Sequence, residues 1–242
     1  MKIIFFVPAR SGSLGIKNKN LAKLNGRPLL HYTLKICQKF RKSFDTFIST
    51  DSYKIIKYCK NFGFKADYKR PRHLSSSYSN IIHSIFHGVN WYEKKHKTKI
   101  THVVLLQPTS PLRKINELKR LISMVKKKKI ESITTVTKVR ENYLGHIKLS
   151  TKNCKKKNLW KYINKRGKKI VNRQEYSKNH YFFNGSVYIS SIQFLKRYKK
   201  FVVENKTNLF FSDALSNIEI DSIEDLKLAE ALLKSKISHQ IV

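Results

Sequence analysis

The chain has 242 residues, 40% hydrophobic and 12% aromatic, enough for one α/β core with an appended lobe. No apolar stretch nears the ~18 residues of a membrane span, and the first apolar run breaks at Pro8 and Arg10 before it could serve as a signal-peptide core, so a cytoplasmic protein is expected. Its 51 Lys and Arg against 15 Asp and Glu give a formal charge of +36, which raises nucleic-acid binding as one reading; because basic residues are spread along a chain rich in Lys, Asn, Ile and Tyr, as an AT-rich genome produces, solvated surface is the other.

The elements alternate from the start. Residues 2–7 read as a strand, and Pro28 opens a helix whose Leu30, Leu34, Cys37 and Phe40 share one face. A short strand at 46–49 leads into a helix begun at Asp51-Ser52, with Ile55, Ile56, Cys59 and Phe62 inward and Gly63 closing it at C′. Residues 81–91 form a third helix. The apolar run 102–106 has the pattern of a strand buried on both faces. Ser110-Pro111 then reads as an N-cap and N1 pair leading into Ile115, Leu118, Leu121, Ile122 and Val125.

Residues 132–137 are β-branched and strand-like, whereas 140–180 are polar, Lys-rich and weakly periodic, an excursion from the core. The core resumes at 184–189. A last strand is expected at 218–221, and Ser222 with Asp225 makes a capping-box-like start to a helix bearing Leu226, Ala229, Leu232 and Leu233. Such βαβ alternation predicts a mostly parallel sheet with helices on both faces, its core formed by 1–139 and 181–242.

Chemistry-bearing residues cluster at strand ends, where open α/β sheets bind ligands. The segment from Arg10 through Ser11, Gly12, Ser13, Gly15, Lys17 and Lys19 to Asn20 follows the first strand and reads as an anion-binding loop, with a basic βα turn that holds no ligand as the plain alternative. It is neither a G-x-x-x-x-G-K-[ST] loop nor a G-x-G-x-x-G turn. Two prolines fix Gln107, Thr109 and Ser110 after the most apolar strand. Glu219 and Asp221, at i and i+2, would share a face of a strand and repel unless a cation lies between them, which suits Mg²⁺ completed by substrate phosphates; a helix-capping role for Asp221 is the alternative. Arg173-Gln174 and Asn184-Gly185 bracket the return to the sheet. Cys37, Cys59 and Cys154 lack metal-ligand spacing, and no Ser or Cys sits in a nucleophile-elbow context.

Phosphate loop, paired carboxylates and α/β sheet together suggest nucleotidyl transfer. The motifs VPARSGSLGIKNKN at 7–20, STDS at 49–52, RPRHLSSS at 70–77, LLQPTSPLR at 105–113, RQ at 173–174, NGSVYI at 184–189 and IEIDSIEDLKLAE at 218–230 resemble, in order, those of the bacterial acylneuraminate cytidylyltransferases. The resemblance implies a Rossmann-like nucleotidyltransferase fold in which 140–180 form a small lobe for homodimerisation and the sugar site. It implies attack by the anomeric hydroxyl of a nonulosonic acid on the α-phosphorus of CTP, releasing pyrophosphate. An N-acylneuraminate is the first expectation, and legionaminic acid or another 2-keto-3-deoxy sugar acid the alternative.

Carried onto this chain, the resemblance places Arg10, Ser13 and Lys19 on the CTP phosphates, with Ser11, Gly12 and Lys17 in the same loop. Asn20 and Arg70 would serve the nucleotide, Gln107, Arg173 and Asn184 the sugar side, and Glu219 with Asp221 would hold Mg²⁺. Arg10, Lys19 and Asp221 are the catalytic expectations; no specific nucleic acid or membrane partner is implied. Leu14, Ser77, Glu219 and Leu144-Gly145-His146 depart from the family pattern; the expectation is that activity survives these departures, with room for an altered sugar preference.

Overall fold

In a computed structural model, residues 1–13, 15–139, 147–149, 160–162, 180–213 and 218–235 are described. The chain divides into two compact units, residues 1–136 with 183–242, and residues 137–182. Along it run β1 (Ile3–Pro8), β2 (Lys23–Leu24), β3 (Arg27–Pro28), α1 (Leu29–Lys39), β4 (Asp45–Ser49), α2 (Tyr53–Asn61), α3 (Ile81–His96) and β5 (His102–Leu105). There follow α4 (Ile115–Lys128), β6 (Ser132–Lys138), β7 (Ile147–Leu149), β8 (Trp160–Tyr162), β9 (Tyr181–Ser191), α5 (Ile192–Tyr198), β10 (Asn208–Phe211) and α6 (Ile223–Lys234).

Six strands form one sheet in the order β10-β6-β9-β5-β1-β4. β1 lies parallel to β4 and β5, and β10 parallel to β6, while β9 runs antiparallel to β5. Because successive side chains of a strand point to opposite faces, β1 feeds two cores. Ile3, Phe5 and Val7 pack with α1, α2 and α4, and Ile4 and Phe6 pack with α3 and α5. The expected mostly parallel sheet with helices on both faces is what the chain builds. In the second unit, β7 and β8 pair antiparallel.

Local chemistry explains most element ends. Ser52 accepts a hydrogen bond from the Ile55 N–H at the start of α2, and Gly63 follows it at φ +90°. The Ser222–Asp225 capping box is formed in full. Between β2 and β3, Asn25 and Gly26 both have positive φ, 45° and 76°, the two-residue hairpin turn that Asn-Gly favours. Sequence reading passed over that hairpin, and α5 and β10 as well.

Two expectations are corrected. α4 begins at Ile115 with Lys114 as its N-cap, not at Ser110, which is fully buried. Residues 107–113 are held instead by Arg113, whose guanidinium donates to the Gln107 carbonyl at 2.6 Å. Residues 218–221 are not a strand: the segment lies beside the 107–109 turn, and the Ile220 N–H donates to the Thr109 carbonyl at 2.7 Å. Ile220 is anchored by a third apolar cluster with Ile16, Leu24, Leu29, Leu112 and Ala229 of α6.

Candidate active site

The registers Pro8 opposite Ser49 and Phe6 opposite Leu105 bring the loops after β1, β4 and β5 to the same edge of the sheet. Between them lies a cavity of about 240 Å³, lined by Arg10, Ser13, Lys19, Asn20, Arg70, Gln107, Thr109, Glu219 and Asp221 among others. A larger cavity, about 1200 Å³, opens around His102 at the other end of β5 and is lined by none of the predicted site residues.

The loop after β1 is shaped by its own polar groups. Asn20, 7% exposed, donates its amide to the Arg10 carbonyl at 2.8 Å. Ser11 is committed elsewhere than expected: its backbone N–H and its hydroxyl donate to the two carboxylate oxygens of Asp51, at 2.8 and 2.6 Å. Burial acts to raise the Asp51 pKa, but these bonds and the nearby Arg70 charge outweigh it, and the carboxyl is held below its ordinary value. Gly12 and Lys17 are exposed and do not line the cavity. A Cβ on Gly15 would lie 2.2 Å from the Asp221 carbonyl oxygen, so only glycine lets the loop approach that peptide.

Arg70 is 4% exposed, and Ser49 holds it: Nε donates to Ser49 Oγ at 2.9 Å and a terminal nitrogen to the Ser49 carbonyl at 2.7 Å. Lys19 Nζ pairs with Asp221 Oδ1 at 2.7 Å. The Asp221 backbone is itself fixed, because its N–H donates to Asp225 in the α6 capping box at 3.0 Å. Glu219 lies deeper. Thr109 Oγ1 donates to it at a long 3.4 Å, and burial, followed by the Asp221 charge, raises its pKa. Among the described residues no three His, Cys, Asp or Glu converge as a metal cage. The two carboxylates nevertheless supply hard oxygen donors of the kind Mg²⁺ uses with substrate phosphates.

One predicted residue has other surroundings. Asn184 is 1% exposed and does not line the cavity; its carbonyl oxygen accepts from Thr135 Oγ1 at 2.6 Å and from the Ser186 N–H at 3.1 Å, and its amide donates to Ser212 at 2.8 Å. Arg173, like Leu14, Gln174, His146 and Cys154, lies outside the described residues.

Sequence reading missed the roles of Asp51 and Arg113. Asp51 reads as a helix start and as part of the STDS motif, with no site role given to it, although it follows a strand, where site residues collect. Arg113, 1% exposed, links Gln107 to β9 by donating to the Gln107 and Ser186 carbonyls and to Thr33 Oγ1. Burial lowers its pKa to about 10, so it is still a cation at neutral pH. No spacing rule marks a buried cation whose partners are carbonyls.

The cytidylyltransferase family model matches residues 4–238. The chain is 26% identical over 238 residues to CMP-N,N'-diacetyllegionaminic acid synthase of Legionella pneumophila, with 97% of each chain covered. It is 26% identical over 245 residues to N-acylneuraminate cytidylyltransferase of Escherichia coli O18:K1:H7, covering 99% of this chain and 54% of that longer protein. The solved structure of CMP:2-keto-3-deoxy-manno-octonic acid synthetase complexed with CTP has the same fold, with a TM-score of 0.65 at 15% identity, covering 96% of this chain and 98% of that one. With loop, carboxylates and sheet disposed as described and a family match spanning nearly its whole length, the chain belongs to the cytidylyltransferase family and is a nucleotidyltransferase.

Proposed function

We propose that this protein transfers the cytidylyl group of CTP to the anomeric hydroxyl of a nonulosonic acid of the N-acylneuraminate type, forming the CMP-sugar and pyrophosphate. One observation carries the reading: three cations, Arg10, Lys19 and Arg70, and two carboxylates, Glu219 and Asp221, line one cavity at the carboxyl edge of a mostly parallel sheet. The cations suit a triphosphate. The carboxylates suit a divalent ion held together with its phosphates.

In the reaction, a bond forms between the anomeric oxygen and the α-phosphorus while the bond from that phosphorus to the departing pyrophosphate breaks and the hydroxyl proton is released to solvent. Arg10 and Lys19 neutralise the charge gathering on the leaving group, the Arg as a planar fork and the Lys as a point charge. Arg70, locked on Ser49, forms a fixed wall for the nucleotide, and Gln107, fixed by Arg113, faces the sugar. Glu219 and Asp221 would hold Mg²⁺, which would supply Lewis-acid polarisation of the phosphate oxygens. Lys19 must then exchange its bond to Asp221 for one to phosphate. The unit at 137–182 provides the homodimer contact in this proposal, and the use of CTP places the enzyme in the cytoplasm.

A second reading, legionaminic acid as the acceptor, is favoured by the full-length match to the Legionella pneumophila relative. Purified protein incubated with CTP, Mg²⁺ and in turn N-acylneuraminic, legionaminic, pseudaminic and 3-deoxy-manno-octulosonic acids decides between them by pyrophosphate release. Turnover with an N-acylneuraminate is expected. Release with none of the four acids overturns the proposal.

A further inference from the structure

The short segment Ser49-Thr50-Asp51 at the end of β4 binds both cationic walls of the cavity. The Ser49 carbonyl accepts the Ala9 N–H at 2.9 Å just ahead of Arg10, and the same carbonyl accepts Arg70 at 2.7 Å. The Thr50 carbonyl takes the Arg70 N–H at 2.7 Å. Asp51 completes the set, one carboxylate oxygen receiving the Ser11 N–H and the other the Ser11 hydroxyl. A carboxylate that accepts two hydrogen bonds from one residue fixes both its backbone direction and its side-chain rotamer.

That carboxylate is also an anion placed behind a site for anions. Arg10 and Arg70 repel one another, and Asp51 attracts Arg70. Without a counter-charge the loop would be a stronger trap for phosphate and a poorer place for pyrophosphate to leave, since a tighter complex is usually one that dissociates more slowly.

From this geometry we infer that Asp51 is a positioning residue: it clamps the 10–13 loop in the shape that receives a polyphosphate and tempers the charge of Arg70 so that the product can depart. The inference rests on the cytidylyltransferase reading for its ligand, a nucleoside triphosphate.

The two effects separate in two variants. In Asp51→Asn the carboxamide oxygen still accepts the Ser11 N–H and its NH₂ donates to Ser11 Oγ, so the clamp persists without the charge. In Asp51→Ala both are lost. The test is calorimetric binding of inorganic tripolyphosphate, competed by CTP, at about 0.15 M salt, where long-range surface attraction is screened. Asp51→Ala should bind about tenfold more weakly, and Asp51→Asn should bind as tightly as wild type or up to about threefold tighter. With CTP and acceptor, Asp51→Ala should raise KM, whereas Asp51→Asn should lower kcat with KM not raised.

If Asp51→Ala binds tripolyphosphate as wild type does and differs only in melting temperature, the residue is a structural staple and the inference is overturned. It is equally overturned if Asp51→Asn is as weak as Asp51→Ala, or if wild type shows no CTP-competed binding. Should Asp51→Ala fail to fold, Ser11→Ala, which removes one of the two bonds, must weaken binding a few-fold or the clamp is refuted. The expected order of tripolyphosphate affinities in a protein that releases no pyrophosphate from CTP would uphold this inference while refuting the proposed reaction.

Discussion

Gly185 offers a test of how the carboxylate side of the cavity is held. It has φ +69°, and a Cβ there would lie 2.8 Å from Glu219 Oε2 and 3.1 Å from both Oε1 and Cδ. Alanine therefore meets two costs: a left-handed backbone, about 1–2 kcal/mol for a non-glycine residue, and displacement of a carboxylate by several tenths of an ångström. The first predicts a fall in melting temperature of about 2–8 °C, at roughly 2–4 °C per kcal/mol for a chain this size. The second predicts a disproportionate loss of turnover, since ~1 Å of misplacement at a reacting centre can cost about 10²-fold.

Gly63→Ala is the internal control. It carries the same kind of strain at φ +90°, with nothing within 4 Å of the added Cβ. Both variants should lose similar stability by thermal denaturation, but only Gly185→Ala should lose an order of magnitude or more in pyrophosphate release, assayed well below either melting point. If the two variants are equally active, the contact between Gly185 and Glu219 does not hold the reacting geometry and the reasoning fails.

Asp221→Ala should abolish pyrophosphate release and leave salt-sensitive, nonspecific nucleic-acid binding unchanged in gel-shift titrations; retained turnover would remove Asp221 from the reaction. His102 and His31 both have pKa values lowered chiefly by burial, so each is more readily protonated in the unfolded chain than in the native one. Their contribution to stability is present above the unfolded value near 6.5 and is lost as pH falls from there through the lower native values. In denaturant titrations between pH 7 and pH 5, His102→Gln should lose less stability than wild type. Cys37 and Cys59 are buried, and burial first of all pushes both pKa values up to about 12. Neither should react with iodoacetamide at pH 8 until the protein is unfolded, as peptide mass mapping would show.

Much of this architecture is written locally. The apolar run of β5 tells of a strand buried on both faces, and the Ser52 and Ser222 caps and Gly63 mark helix ends because each satisfies a backbone group within a few residues of itself. The loop from Arg10 to Asn20 and the pair Glu219 and Asp221 are legible by type and by position after an apolar segment. Elements whose stability comes from distant partners are not. Ser110 looks like an N-cap, yet Arg113 holds that turn by reaching to Gln107 and to Ser186, so the helix starts four residues later, with Lys114 as its N-cap. Residues 218–221 have a strand's alternation but no ladder, because what fixes them is an apolar cluster and bonds to Thr109, Asp225 and Lys19.

The sequence by itself therefore determined the kind of protein: an α/β nucleotidyltransferase. Only the tertiary structure decided which polar groups are free to meet a ligand. Ser11 and Asn184 have the right chemistry for a substrate, but their donors and acceptors are taken by Asp51, Thr135, Ser186 and Ser212. A hydrogen-bonding group within the fold goes to whichever partner the backbone brings within about 3 Å, and that choice depends on contacts between residues as far apart as 11 and 51, which no local pattern encodes.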